Sequence, residues 1–479
     1  MAEKPTDEQV SRLGLLKRFF FIDLVALQFG IDSTLWLATA YSYIATLVPS
    51  ELTNHYLSIA QLLPSGVQFF VSLLVGPTIA YFGCGMKWPM VAFILCSAIG
   101  NFIYSCSGLH GIGNVWGLIG GRMLSGLASG SSSLSMTYIV NSSSTVERLE
   151  ALSQYRTMAG FAMVLGPALS IPLTVFAFSI GKFEVNGNNA PTFVSAGIAL
   201  LIAVITAIAV RDMRAKKLNF FDIMIRNRDE ILKGESVLWQ VPALGLILLF
   251  VSSFLMADCL FLMSNLMRSE TNWDLSLTLI SGLQAVVFLV ALVGSLCTDT
   301  IRKALSRWTE KLNEKYYLPA DLGEVEDKAK SQALTKKIVP ELLLSAGSFL
   351  GSIIGSVLII VSLAVSNGAT SGKAGSLACF LVGCCIMMTA YNMQAASLPS
   401  LYSKSLPVNL RTVLTPWYGA TVALGKLVAP PVIAVIGGAT RDNDGFIGAQ
   451  GLCIGVALIA CISVWLSMRP FVKAIALSN

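Results

Sequence analysis

The chain has 479 residues, of which 54% are hydrophobic and 13% charged. A soluble domain carries about 25% charge, so a water-soluble enzyme is excluded on composition. The 33 Lys and Arg against 27 Asp and Glu leave a net charge of only +6, spread along the chain, which excludes a nucleic-acid footprint.

A bilayer crossing needs about 20 mostly apolar residues, and the chain supplies them in order. Residues 1–18 are polar and read as a cytosolic N-terminal segment. Six apolar runs follow at 19–48, 57–82, 88–108, 115–140, 157–180 and 191–210. A stretch rich in both charges, 211–240, reads as a cytosolic central loop. Runs at 241–266 and 276–298 precede a second charged loop, 299–340. Four more lie at 341–366, 376–399, 413–437 and 447–468, before a cytosolic tail at 469–479. The runs are continuous rather than alternating, which excludes a β-barrel. The first run is too long for a cleavable signal core and reads as its own insertion signal.

With the N-terminus in the cytosol, 27 basic residues fall in cytosolic segments. The opposite side holds Lys182, Arg268, Lys373 and Arg441, which satisfies the positive-inside rule. The expected fold is an all-α membrane protein of twelve transmembrane helices. Residues 19–210 and 241–468 form two pseudo-symmetric six-helix bundles, with both termini cytosolic. Within 299–340, Arg302, Lys303, Arg307 and Lys311 read either as part of a solvated tether or as an amphipathic helix on the membrane surface.

Charges inside the runs are few. Asp23 and Glu341 fall near cytosolic ends, where they reach the interface. Asp32, Arg122, Asp258 and Lys426 are deep, where a charge costs about 2.5–3.5 kcal/mol on insertion scales. Two acids and two bases form a neutral set, best accommodated as paired ions in a central cavity. Asp32 and Asp258 occupy the first span of their respective halves, which points to a site at the half-to-half interface. Gln28 lies four residues before Asp32, on the same helical face. Gln61, Gln68, Asn101, Gln284, Asn392 and Gln394 read as interhelical hydrogen-bonding groups.

The ten cysteines show neither a disulfide framework nor zinc-ligand spacing, so no metal and no cofactor are expected. Cys384-Cys385 reads as core packing. His55 and His110 fall in the loops 49–56 and 109–114 as ordinary solvated residues, with no nucleophile motif nearby. The Asn141-Ser142-Ser143 sequon falls on the cytosolic side and predicts no glycan.

Span 4 carries Arg122-x3-Gly126-x3-Gly130, one arginine and two glycines on a stripe that lets a neighbouring helix approach. Glu147-Arg148 follows in the next loop, then Gly160-x5-Gly166-Pro167, where Gly-Pro bends span 5. In that order, within a six-plus-six chain, these motifs resemble the major facilitator superfamily. Tyr41-Ser42 to Pro49-Ser50, Asn101-x2-Tyr104, and Asn189-Ala190-Pro191 with Ser195-Ala196 resemble the branch holding the lysosomal facilitator linked to neuronal ceroid lipofuscinosis. The resemblance is best over 19–212. One departure stands out. The family's Gly-x3-Asp-Arg-x-Gly loop after span 2 is here Gly76-x3-Ala80-Tyr81-x-Gly83, with Lys87 as the one base. The counterpart after span 8 keeps Asp299, Arg302 and Lys303.

The resemblance implies a secondary transporter that moves a small molecule or ion by alternating access. Asp32 or Asp258 would respond to protons, and Arg122 and Lys426 would pair with them or bind an anion. No phosphate-binding loop for ATP is present. Two other readings stand beside it: an anion channel on the same fold, for which the missing gate residues argue, and a non-transporting membrane sensor or scaffold built on the charged loops. An enzyme is not expected. The expected partners are the substrate and the lipid bilayer, without nucleic acid, for a monomeric protein. The resemblance places it in the lysosomal or endosomal membrane, with the plasma membrane as the other option. No acidic dileucine signal is present, since Ser11 stands at the acidic position before Leu15-Leu16.

Overall fold

The computed structural model describes residues 12–108, 114–144, 147–173, 177–180, 183–214, 240–267, 273, 275–310, 325–366, 373–406, 411–438 and 444–468. The expectations for residues 1–11, His110, most of the 211–240 loop, Lys311 and the 469–479 tail lie outside these residues, as does the side chain of His55.

The first apolar run forms two helices, α1 (Arg12–Thr34) and α2 (Leu37–Leu47). The hydroxyls of Ser33 and Thr34 donate to the Gly30 carbonyl at 2.8 and 3.0 Å, where they compete with the backbone ladder just before the break. Helix α3 (Ser50–Phe82) starts seven residues before the expected span, so the loop expected at 49–56 is largely helical. Gly83, at φ 62°, ends it in a left-handed cap that a side chain would strain. Helix α4 is Lys87–Cys106. Span 4 is split into α5 (Val115–Leu127) and α6 (Ser129–Ser142), again where hydroxyls bind the backbone: Ser129 to Gly126 and Ser131 to Ala128, at 2.8 and 2.6 Å.

Helix α7 (Arg148–Leu173) opens on a reciprocal capping box. The Ser144 amide donates to the Glu147 carboxylate, and the Glu147 amide donates to the Ser144 hydroxyl. This helix corrects the expected fifth span, 157–180, at both ends. It begins nine residues earlier, and Phe178–Ile180 (β1) instead pairs antiparallel with Phe183–Val185 (β2). Phe178, Ile180, Phe183 and Val185 alternate with Ser179 and Glu184, a period of two that suits a hairpin rather than a helix. Helix α8 (Ala190–Ala209) completes the first set.

The second set comprises α9 (Gln240–Leu266), α10 (Leu277–Glu310), α11 (Val325–Ser366), α12 (Lys373–Ser405), the single turn α13 (Arg411–Leu414), α14 (Trp417–Gly438) and α15 (Asp444–Leu466). Helix α10 continues twelve residues past its expected end and carries Arg302, Lys303 and Arg307 in regular helix. Lys303 and Arg302 bind Asp299 at 2.8 and 2.7 Å, one turn back. Taking α1–α2 and α5–α6 as one crossing each, the architecture has twelve crossings in two sets of six.

Within the first set α1 packs on α7, and α4 packs on α5 and α8. Within the second, α11 packs on α12 and α15, and α9 packs on α14. The two sets meet where α3 packs on α14 and α7 on α10. Polarity runs opposite to that of a soluble protein: Ile208 is 79% exposed, while the serines of α6, from Ser129 to Ser135, are buried. In lipid the apolar side chains face outward and small polar groups mediate helix contacts.

The motif glycines lie at such contacts. A methyl group on Gly126 would fall 2.7 Å from the Pro64 carbonyl of α3, and one on Gly130 would strike the Phe93 ring of α4. Gly166, followed by Pro167, sits against Thr34 of α1. Gly160 has more room, facing Leu292 and Asn392 of the second set.

Candidate functional site

A cavity of about 220 Å³ lies between the two sets, lined from α1, α3, α5, α7, α9, α10, α12 and α14. Its charged lining residues are Asp32, Arg122, Arg156 and Lys426.

Asp32 is 6% exposed and held by three neighbouring polar groups. Its Oδ1 accepts from Asn101 Nδ2 at 2.5 Å and from the Ser195 hydroxyl at 3.3 Å. Its Oδ2 accepts from the Ser97 hydroxyl at 2.9 Å. These donors come from α4 and α8, which fixes the carboxylate against the back of the first bundle. Arg122 Nη1 lies 3.8 Å from Asp32 Oδ1, and the guanidinium covers the Trp36 ring at 4.1 Å, a favourable cation–π contact. Nε and Nη1 of Arg122 are buried without hydrogen-bond partners among the described residues.

Lys426 and Arg156 line the same cavity from α14 and α7, close enough to act on each other electrostatically. Among the described residues neither forms an ion pair with a carboxylate. The Arg156 guanidinium lies 5.0 Å from the centre of the Tyr418 ring, and its Nε has no hydrogen-bond partner among those residues. The arrangement is therefore not the neutral quartet read from the sequence. One acid–base pair stands beside two further cations.

Of the sequence candidates, Asp32, Arg122 and Lys426 come together here. Gln28 is buried outside the lining and donates to the Ser97 hydroxyl at 2.9 Å, so it braces the group that braces Asp32. Asp258 is also outside the lining. It is fully buried and accepts from Gln450 Nε2 of α15 at 2.7 Å. Asp32 and Asp258 thus share a place in the order of spans but not a cavity.

Arg156 is the residue that sequence reasoning missed. The fifth apolar run begins at 157, so from hydropathy Arg156 falls in the cytosolic segment before it. The signal was its spacing: Gly160 and Met163 follow at i+4 and i+7, so all three share a helix face, and all three line the cavity.

The two acids expected at the interface are buried instead. Asp23 accepts from Gln154. Glu341 pairs with Lys404 at 2.5 Å and accepts from the Ser400 hydroxyl at 3.2 Å. Near this end the two sets touch directly. Asn141 Nδ2 donates to the Thr412 hydroxyl at 3.0 Å, and Arg148 Nη1 donates to the Ser403 carbonyl at 3.4 Å. Gly76 brings α3 onto the Val413 carbonyl, where a methyl group would be 2.3 Å away.

Comparison with known proteins agrees with this architecture. Residues 24–312 match the model of the Major Facilitator Superfamily. The chain is 27% identical over 443 residues to the MFS-type transporter PUL3 of Kluyveromyces lactis, covering 89% of this chain and 92% of that protein. Among solved structures, it is similar in fold to the proton:xylose symporter XylE at a TM-score of 0.67 and 13% identity, covering 97% of this chain and 99% of that one. The human organic anion transporter MFSD10 aligns at a TM-score of 0.64 and 14% identity, covering 96% and 100%.

Proposed function

The chain belongs to the Major Facilitator Superfamily, and from that premise we propose that it is a secondary transporter for a small anionic solute, moved by alternating access of the central cavity and coupled to protons through Asp32. The observation that carries the anion is the positive charge of Arg156 and Lys426 in the cavity lining, neither of which forms an ion pair with a carboxylate among the described residues. A partly buried cation without a counter-ion is costly, and an incoming carboxylate or phosphate offsets that cost with charge-assisted hydrogen bonds. The solved organic anion transporter of similar fold is consistent with this reading.

The coupling rests on geometry. Asp32 lies 3.8 Å from Arg122 Nη1, and Nε of Arg122 has no hydrogen-bond partner among the described residues. Asp32 lies at the lining beside Arg122, so any change of charge at this carboxylate acts directly on the guanidinium. Asp258, bonded to Gln450 away from the cavity, is assigned to holding α9 against α15. The direct contacts of Asn141, Arg148 and Gly76 across the two sets support a gated carrier over an open channel, because they join the sets at that end although the first half lacks the family's acidic and basic loop residues.

The test is uptake by purified protein in liposomes, with carboxylates and inorganic phosphate offered with and without an inward proton gradient. Saturable uptake of an anion, increased by the gradient and weakened in Lys426→Gln, is expected. Uptake confined to neutral or cationic solutes would overturn the proposal. For the compartment, the motifs of the N-terminal half favour the endolysosomal membrane. A fluorescent fusion found solely at the cell surface would reject that assignment.

A further inference from the structure

Resting on the anion-carrier reading, we infer that the substrate is an organic dianion with a compact apolar body, bound so that it bridges Arg156 of the first helix set and Lys426 of the second. Charge counting comes first. The lining contains Arg122, Arg156, Lys426 and a single carboxylate, Asp32. With Asp32 on Arg122, the two positive charges of Arg156 and Lys426 remain in the lining. A monoanion leaves one of them uncompensated, whereas a dianion balances both.

Donor geometry agrees. Buried Nε of Arg156 has no acceptor among the described residues. An arginine fork is matched by the paired oxygens of a carboxylate or phosphate. Because Arg156 lies on α7 and Lys426 on α14, an anion between them also ties the two sets together. That is what a carrier requires of its solute if binding is to favour the closed arrangement.

The remaining lining separates organic from inorganic dianions. Phe29, Phe261, Phe288, Met163, Met256 and Leu260 face the same space. Sulfate or hydrogen phosphate leaves that apolar surface in contact with water, whereas a hydrocarbon or aromatic body covers it. At about 220 Å³ the cavity is below the ~300–1,000 Å³ usual for drug-sized ligands, so the body is small.

The experiment uses the full chain with four probes: terephthalate (aromatic, two carboxylates), benzoate (aromatic, one), succinate (aliphatic, two) and inorganic phosphate. Binding is read as thermal stabilisation of the purified protein, and transport as counterflow in liposomes. Terephthalate is expected to act at a concentration roughly tenfold below benzoate, as one added charged contact implies, with succinate and phosphate weaker than terephthalate. Arg156→Gln and Lys426→Gln should each erase the preference for terephthalate over benzoate, while Arg156→Lys keeps it and guards against a folding artefact. Equal action of benzoate and terephthalate overturns the dianion and leaves the anion carrier standing. Preference for phosphate overturns the organic body. Absence of any response to all four overturns both this inference and the anion-carrier reading beneath it.

Discussion

Lys404 of α12 reaches Glu341 of α11 at 2.5 Å, with both side chains almost fully buried. Removing one member leaves the other charge stranded in the protein interior, a loss of about 3–5 kcal/mol for buried pairs in general. Lys404→Met should therefore lower the unfolding temperature sharply. The double replacement Lys404→Met with Glu341→Leu should recover part of it, because no stranded carboxylate then remains, although the buried Arg148 loses the nearby charge of Glu341. Thermal unfolding of the three proteins in one detergent distinguishes these cases, and a double variant as unstable as the single one would show that the pair has some role beyond charge balance.

Gly126 and Gly120 lie on one helix and differ in a way that a methyl group can test. A Cβ on Gly126 would fall 2.7 Å from a backbone oxygen of α3, whereas one on Gly120 meets nothing within 4 Å. Gly126→Ala is expected to cost about 1–3 kcal/mol through overpacking, and Gly120→Ala should be neutral or slightly stabilising through helix propensity. Comparable stability of both variants, measured by thermal unfolding, would contradict the close contact between α5 and α3.

The twelve crossings were legible because lipid demands long apolar runs whatever their packing. Details that depend on side-chain hydrogen bonds were not. The interruptions near Trp36 and Ala128 follow serine and threonine hydroxyls bonding to backbone carbonyls, which hydropathy does not register. The early start of α7 depends on the Ser144–Glu147 capping box, and missing it removed Arg156 from the list of cavity cations. The spacing of Asp32 and Asp258 suggested equivalence, but neighbouring helices decide which carboxylate faces the cavity. Asn101, Ser97 and Ser195 hold the first at its edge, and Gln450 draws the second away.

These different surroundings separate the two acids experimentally. Asp32→Asn keeps a group of the same shape beside Asn101 and Ser97 but removes the charge facing Arg122. Uptake driven by a proton gradient should fall by about tenfold or more, the scale of one lost charged hydrogen bond at ~1.5–3 kcal/mol, and its pH dependence should flatten. Asp258→Asn should keep both the rate and the pH profile within about twofold, a margin below ~1 kcal/mol. A flattened profile in Asp258→Asn, with Asp32→Asn unaffected, would reverse the assignment.

Gly76 provides the last test, on the gate. The C-terminal end of α3 touches the Val413 carbonyl through this residue, and a β-carbon there would be 2.3 Å from the oxygen and 3.0 Å from the Pro416 ring. Backbone oxygen cannot yield as a flexible side chain can, so Gly76→Val must hold α3 away from α13 and α14. The contacts of Asn141 with Thr412 and of Arg148 with the Ser403 carbonyl belong to the same closed face and should loosen with it. Spin labels on the C-terminal end of α3 and the N-terminal end of α14 are expected to show a longer distance distribution in Gly76→Val than in the unaltered protein. The cavity should remain able to bind solute, because its lining residues are untouched, while turnover falls. Unchanged label distances together with unchanged turnover would mean that this face does not need Gly76 to close.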